Sequence, residues 1–235
     1  MTFSRDKSTP QIIPIQLSLP VGMGSVNCYL LKGHSSCLLI DTGASNARSN
    51  LEKALADTGC EPDHIKLVIL THGDFDHSGN AAYLHRQYGT PVAMHKSDVG
   101  MVERGDMFVN RKQPNWLVRG LLPLATGFGR KERFTPDVLV KDGYDLSRYG
   151  VKVKVLSIPG HSLGSIGILT SEGNLFCGDL FENQTGPKLN SIMDDKVAAE
   201  ASLDKLRAYK ILMVYPGHGE PFEMTGLLGR VISRK

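Results

Sequence analysis

The apolar run Leu67-Val68-Ile69-Leu70 passes with no spacer into Thr71-His72-Gly73-Asp74-Phe75-Asp76-His77-Ser78-Gly79-Asn80, and this junction constrains the fold more than any other stretch. The run reads as a buried strand, and the positions after it put two imidazoles and two carboxylates into six consecutive residues, 72–77. Neutral imidazole and carboxylate together suit a divalent cation, and a strand that delivers them as it leaves the core sets them on one sheet edge. Taken one at a time they are ordinary polar residues of a strand-to-helix turn, with Asp76 as a helix cap and Asp74 solvated. Three more candidates share the context, however. His161 in Pro159-Gly160-His161-Ser162, Asp179 in Cys177-Gly178-Asp179-Leu180 and His218 in Pro216-Gly217-His218-Gly219 each sit in a glycine-containing turn after an apolar run. Scattered core histidines would not share that setting, so the pattern reads as a metal site.

Around it the periodicity alternates between short strands and helices. Residues 11–19 and 26–41 read as antiparallel strands with a turn at Lys32-Gly33-His34-Ser35. A helical pattern over 47–58 places Leu51, Ala54 and Leu55 on one face. After strand 66–70 the spacing predicts a helix over 79–88 closed by Gly89, with Ser78 and Gly79 small enough to let its backbone approach the metals. Strands follow at 91–95, 138–140, 151–158, 165–170 and 174–177, then a helix over 195–209 with Val197, Ala201, Leu203 and Leu206 inward, strand 211–215 and a C-terminal helix. His34, His85 and His95 are read as a turn residue, a surface or packing residue and a non-ligand. Spacing alone supports a mixed α and β domain.

With 235 residues the chain suits one domain, 1–235, with a long interruption at 97–135. That segment holds the only tryptophan, Trp116, and within 101–134 seven basic residues stand against three acidic ones. It is expected to be an inserted lid over a pocket, equally a solvated insertion with a small core of its own. The formal net charge of +3 is too small and too interleaved for a nucleic-acid footprint. Cys28, Cys37, Cys60 and Cys177 are widely separated and form no CxxC pair, so buried thiols are expected. No leader-like or membrane-length apolar stretch is seen, and a soluble cytoplasmic protein with no nucleic-acid or membrane partner is expected.

In this order the motifs resemble those of the metallo-β-lactamase-fold superfamily, whose signature is HxHxDH, then a distant His, a bridging Asp and a final His. The resemblance runs from Asp41 to about Glu220. One position departs, since Asp74 stands where the usual motif has its second His. The resemblance implies a four-layer αββα sandwich with two divalent metal ions. One would be held by His72, His161 and Asp74, the other by Asp76, His77 and His218, with Asp179 bridging both and Asp41 supporting the ligands from behind. It further implies a hydrolase in which a metal-bridged hydroxide attacks an ester, thioester or lactone-like bond of a small molecule, with Asp76 as the catalytic residue that handles the proton. Zinc is the first expectation, while the harder oxygen donor at position 74 shifts the balance toward iron or manganese. The basic segment points to an anionic substrate. A carboxylate at position 74 is also similar to the flavodiiron proteins, which leaves a non-haem di-iron redox or oxygen/nitric-oxide chemistry with a separate electron donor as the alternative. A non-catalytic sensor fits the same ligands.

Overall fold

The computed structural model describes residues 9–34, 36–111, 121 and 126–227. Two sheets carry the architecture. In the first, β1 (Gln11–Ser18), β2 (Ser25–Lys32) and β3 (Cys37–Ile40) are antiparallel neighbours, and β4 (Ile65–Ile69), β5 (Val92–His95) and β6 (Val138–Val140) extend it in parallel. In the second, β7 (Val153–Ser157), β8 (Ile166–Thr170) and β9 (Asn174–Asn183) run antiparallel, and β10 (Lys188–Leu189) pairs with β9. There β11 (Met213–Gly219) lies parallel to β9 and is capped by β12 (Phe222–Glu223).

Successive strand residues point to opposite faces, and here both faces are apolar. Along β3, Leu39 enters one cluster with Leu51 and Leu55 of helix α1 (Arg48–Asp57), whereas Leu38 and Ile40 enter another with Val155, Ile168 and Phe176 of the second sheet. Strands covered on both faces read as near-continuous hydrophobic runs, which is why Leu67-Val68-Ile69-Leu70 shows no polar alternation. A third cluster joins Leu175 and Cys177 to Ala199, Leu203 and Leu206. Helices therefore cover the outer face of each sheet, and the expected four-layer αββα sandwich is the fold.

Most predicted elements recur within a residue or two, and the differences are local. The ligand stretch is itself partly helical, because Phe75–Ser78 forms a one-turn helix, α2, ahead of α3 (Ala81–Tyr88). Gly79 packs on the 43–45 turn, where an added Cβ would lie 2.5 Å from the Ser45 nitrogen, and its small size serves that contact instead of an approach to the site. Strands β9 and β11 continue through Asp179 and His218, which the sequence placed in turns. Helix α5 (Lys196–Leu206), which follows α4 (Val99–Arg104), buries Leu203 and Leu206 as expected but not Val197 or Ala201. Val197 is 76 % exposed, and Ala199 and Ser202 point inward instead, where Ser202 Oγ donates to the Pro159 carbonyl at 2.7 Å and Ala199 seats against Gly160.

All four cysteines are free and buried. Among the described residues no helix is long and apolar enough to cross a membrane. Residues 112–120 and 122–125, a third of the expected lid segment, and the part of the expected C-terminal helix that falls beyond residue 227 lie outside the described residues.

The two sheets meet at Phe176, which stacks on Tyr215 at 4.8 Å and tilts against Tyr29 at 5.1 Å. Phe176→Ala is expected to remove about 3–5 kcal/mol of stability. Urea unfolding will show it as a lower midpoint at unchanged slope.

Candidate metal centre

The ends of several strands converge on one edge of the sandwich. Chain leaving β4 carries His72 and Asp74, α2 carries Asp76 and His77, the turn after β7 carries His161, and β9 and β11 carry Asp179 and His218. All seven predicted ligands come together there. His72, His161 and Asp179 offer atoms within 4.8 Å of one another, as do Asp76, His77 and His218. Asp179 stands between the two groups, with Oδ1 3.3 Å from His77 Nε2 and Oδ2 3.3 Å from His218 Nε2 and 3.9 Å from His161 Nε2. Asp74 Oδ2 lies 2.9 Å from His161 Nε2 and 3.6 Å from His72 Nε2. Asp76 Oδ2 lies 3.4 Å from His218 Nε2. His85 and His95 stand apart, on Asp137 and on the Ser97 amide.

Each imidazole is oriented through its outer nitrogen. His161 Nδ1 pairs with the Ile192 carbonyl and His218 Nδ1 with the Ser25 carbonyl, both at 2.8 Å. A carbonyl only accepts, so Nδ1 carries a proton in these rings, and Nε2 faces inward as the atom that offers a lone pair to a cation once its own proton is lost. Buried Asp41 does the same for two more rings. It accepts from His77 Nδ1 at 2.8 Å and from Thr71 Oγ1 at 2.7 Å, and the Thr71 hydroxyl then accepts from His72 Nδ1 at 2.9 Å. Asp41 also takes the Thr71 amide at 2.8 Å, and it occupies the left-handed backbone region with φ 59°. Asp and Asn tolerate that region better than other side chains. The supporting role that the resemblance assigned to Asp41 is visible in these bonds.

The turns are pinned from outside. Asn27 Nδ2 and Tyr29 Oη donate to the Pro216 carbonyl at 3.1 and 2.7 Å, tying the β11 ligand to β2. Buried Asp98 accepts from Ser162 Oγ at 2.6 Å and from the Gly164 amide at 2.8 Å and so holds the His161 turn. Gly217 has no room for a side chain, since a Cβ there would meet Asp179 Oδ1 and sit 2.7 Å from His77 Cε1. Gly178 has φ +51° and touches Thr71, and there the pairing of β11 with β9 slips register.

Inside this shell the charges favour one another. Burial opposes protonation of His161, but the Asp74 and Asp179 carboxylates outweigh it and carry the pKa up to about 9. Burial likewise opposes the charged form of His218, and Asp179 and Asp76 bring it up to about 10. Burial would raise Asp179, yet His218 and His77 hold it well below the ordinary carboxylate range. Three buried atoms aimed into the cradle, His72 Nε2, His77 Nε2 and Asp179 Oδ1, have no hydrogen-bond partner. Buried polar atoms without partners are costly, and a cation pair would satisfy them. The donor set fits.

Arg111 was not legible as a site residue. It follows α4 in the basic segment, and its Nη1 forms an ion pair with Asp74 Oδ1, while Nη2 donates to the His161 carbonyl at 3.1 Å and Nε pairs with Asp194 Oδ2 at 2.6 Å. The only sequence signal was the excess of basic residues over 101–134.

The residue pattern of the metallo-β-lactamase superfamily matches residues 21–218. A probable metallo-hydrolase of Methanocaldococcus jannaschii is 28 % identical over 210 residues, covering 83 % of this chain and 88 % of its own. The solved structure of a metallo-β-lactamase family protein from Thermus thermophilus superposes with a TM-score of 0.71 at 26 % identity, over 95 % of this chain and 78 % of that one. A protein solved in a di-iron-bound form gives a TM-score of 0.65 at 27 % identity, over 88 % of this chain and 94 % of that one.

Two outcomes follow from the outer bonds and the charges. Asp41→Asn replaces an acceptor shared by His77 and Thr71 and is expected to weaken metal affinity about 10–100-fold, as read by competition with a chromophoric chelator. The pKa values of His161 and His218 in the metal-free fold lie above the ordinary 6.5. Their contribution to stability is therefore complete below 6.5 and is lost as pH rises through about 9 and 10. The melting temperature of metal-free protein should fall across that window. Titrating metal at pH 8 should release protons, seen by calorimetry in buffers of different ionisation enthalpy.

Proposed function

The chain belongs to the metallo-β-lactamase superfamily and is a metallo-hydrolase of that family, and from that premise we propose that it cleaves an ester, thioester or lactone-like bond of a small molecule. The observation that carries this reading is the set of four imidazoles, each bonded outward through Nδ1 and each presenting Nε2 to the Asp179 carboxylate or its immediate surroundings. Held by His72, Asp74, His161, Asp179, Asp76, His77 and His218, two divalent cations would supply a water of lowered pKa and a Lewis acid for the substrate oxygen.

The protein's own residues do the rest. Asp76 borders the cradle beside His218 and is the carboxylate proposed to take and return the proton of the attacking water. No Ser or Cys nucleophile is required, and Cys177 is buried with its thiol pKa pushed up by that burial. Leu163 and Ile192, 66 % and 71 % exposed, sit on the turn that carries His161 and beside the carbonyl that orients it. They offer apolar contact to an acyl group. Arg111 is committed to carboxylates of the protein, so an anionic group on the substrate would fall to other residues of the basic segment.

A second reading has its own support. The relative solved with two irons, together with the carboxylate at position 74, favours di-iron redox chemistry fed by a separate electron donor.

One experiment separates the two. Protein reconstituted with zinc, manganese or iron is assayed on esters, thioesters, lactones and phosphodiesters, and in parallel for reductant-dependent consumption of oxygen and nitric oxide. Turnover of an acyl substrate that chelation abolishes is expected, with Asp76→Asn lowering kcat about 10²–10⁴-fold. Gas consumption without hydrolysis would replace the hydrolase reading by the redox one.

A further inference from the structure

Asp74 is the ligand position at which this chain departs from the HxHxDH pattern, and its two oxygens face in different directions. Oδ2 looks into the cradle toward His161 and His72. Oδ1 looks away, into the ion pair with Arg111 Nη1. The guanidinium is itself nearly enclosed, with its side chain 9 % exposed. Asp194, 37 % exposed, holds it through Nε, and the carbonyl of His161 holds it through Nη2. A guanidinium keeps its proton in a protein, so a fixed positive charge stands behind the variant ligand. The planar fork, hydrogen-bonded through Nη1 and Nη2 and close to the Asp194 carboxylate at Nε, leaves that charge little freedom to move.

Compare the three ways of filling position 74. An imidazole brings one donor atom and no charge. A lone carboxylate brings two donor atoms and a full negative charge, which favours harder cations. The Asp74–Arg111 pair brings one inward oxygen and no net charge.

We propose that Arg111 is a positioning residue that makes Asp74 a neutral, single-donor equivalent of imidazole, and that it thereby sets the metal preference of the cradle formed with His72, His161 and Asp179. This rests on the reading of that cradle as a metal centre. The His-to-Asp change and the arginine are then one unit, and neither half serves the centre without the other. Arg111 reaches the ligand across 37 residues of chain, from seven residues past the end of α4. The shape of that segment thus enters the electrostatics of the metals.

The test is a double-mutant cycle read by metal content and metal competition, with no activity assay involved. Wild-type protein, Arg111→Met, Asp74→His and the double variant are loaded, dialysed against a weak chelator and analysed for bound zinc and manganese. Arg111→Met frees the second carboxylate oxygen and its charge, and the manganese-to-zinc ratio should rise about tenfold. Asp74→His leaves the guanidinium beside the cations with only Asp194 to offset its charge, and this variant should lose one of two bound metals. The double variant should recover two metals and the wild-type ratio. Arg111→Lys keeps the charge but loses the fork, so its ratio should shift less than that of Arg111→Met, which also covers the case in which Arg111→Met folds poorly. Wild-type protein that binds no metal would remove the metal-centre reading itself. Wild-type protein with two metals, but single changes whose effects on the ratio are nil or simply additive, or a lysine variant shifted as far as the methionine one, would overturn the inference about Arg111 alone.

Discussion

The outer nitrogen of each imidazole decides what the inner one can do. A neutral ring has one proton to place, and an acceptor on its far side settles where that proton goes. In this protein two rings are settled by main-chain carbonyls and two by a single carboxylate, Asp41, directly for His77 and through the Thr71 hydroxyl for His72. The left-handed backbone at Asp41 is what lets a residue at the end of β3 turn its carboxylate toward the end of β4. The parallel pairing of those strands brings the two ends side by side. The centre therefore depends on a strand adjacency inside the first sheet as much as on the ligands.

The cradle is a costly arrangement for a protein to hold. Asp74, Asp76 and Asp179 are all buried or nearly so, among four rings that are mostly enclosed. Two features contain the cost. The carboxylates and imidazoles stabilise one another's charged forms, as the raised His161 and His218 and the depressed Asp179 show. Arg111 pairs with the added charge that an acidic residue at position 74 introduces. The unpartnered inner atoms, in contrast, are left for a ligand to satisfy. A site that only stabilised the fold would have little reason to leave them so.

Much of this was legible in the chain, and the illegible remainder has a common physical origin. Ligand identity showed because imidazole and carboxylate gathered at the ends of apolar runs, and those runs showed because strands buried on both faces leave no polar alternation. Apart from Asp41, what orients the ligands did not show. The Ser25 and Ile192 carbonyls belong to the backbone, which every residue carries, so no side chain marks them. Asp98 and Arg111 act across long separations, and within the interruption at 97–135 nothing in the sequence singled them out. The continuation of β9 past Cys177 was hidden by Gly178, whose positive φ accommodates a local irregularity within the strand where a sequence reader sees a stop. In α5, the close seat of Ala199 on Gly160 sets the buried face, which overrides the apolarity of Val197.

The order of the ligands along the chain carries a consequence for how the protein comes into being. His72, Asp74, Asp76 and His77 come from the first sheet's half, whereas His161, Asp179 and His218 come from the second. As the chain emerges from the ribosome at about 5–20 residues per second, the first four can be displayed on a finished sheet edge while their counterparts are still untranslated. For that interval the nascent protein exposes an open half-shell of carboxylates and imidazoles, and only synthesis of the last strand of the set closes it.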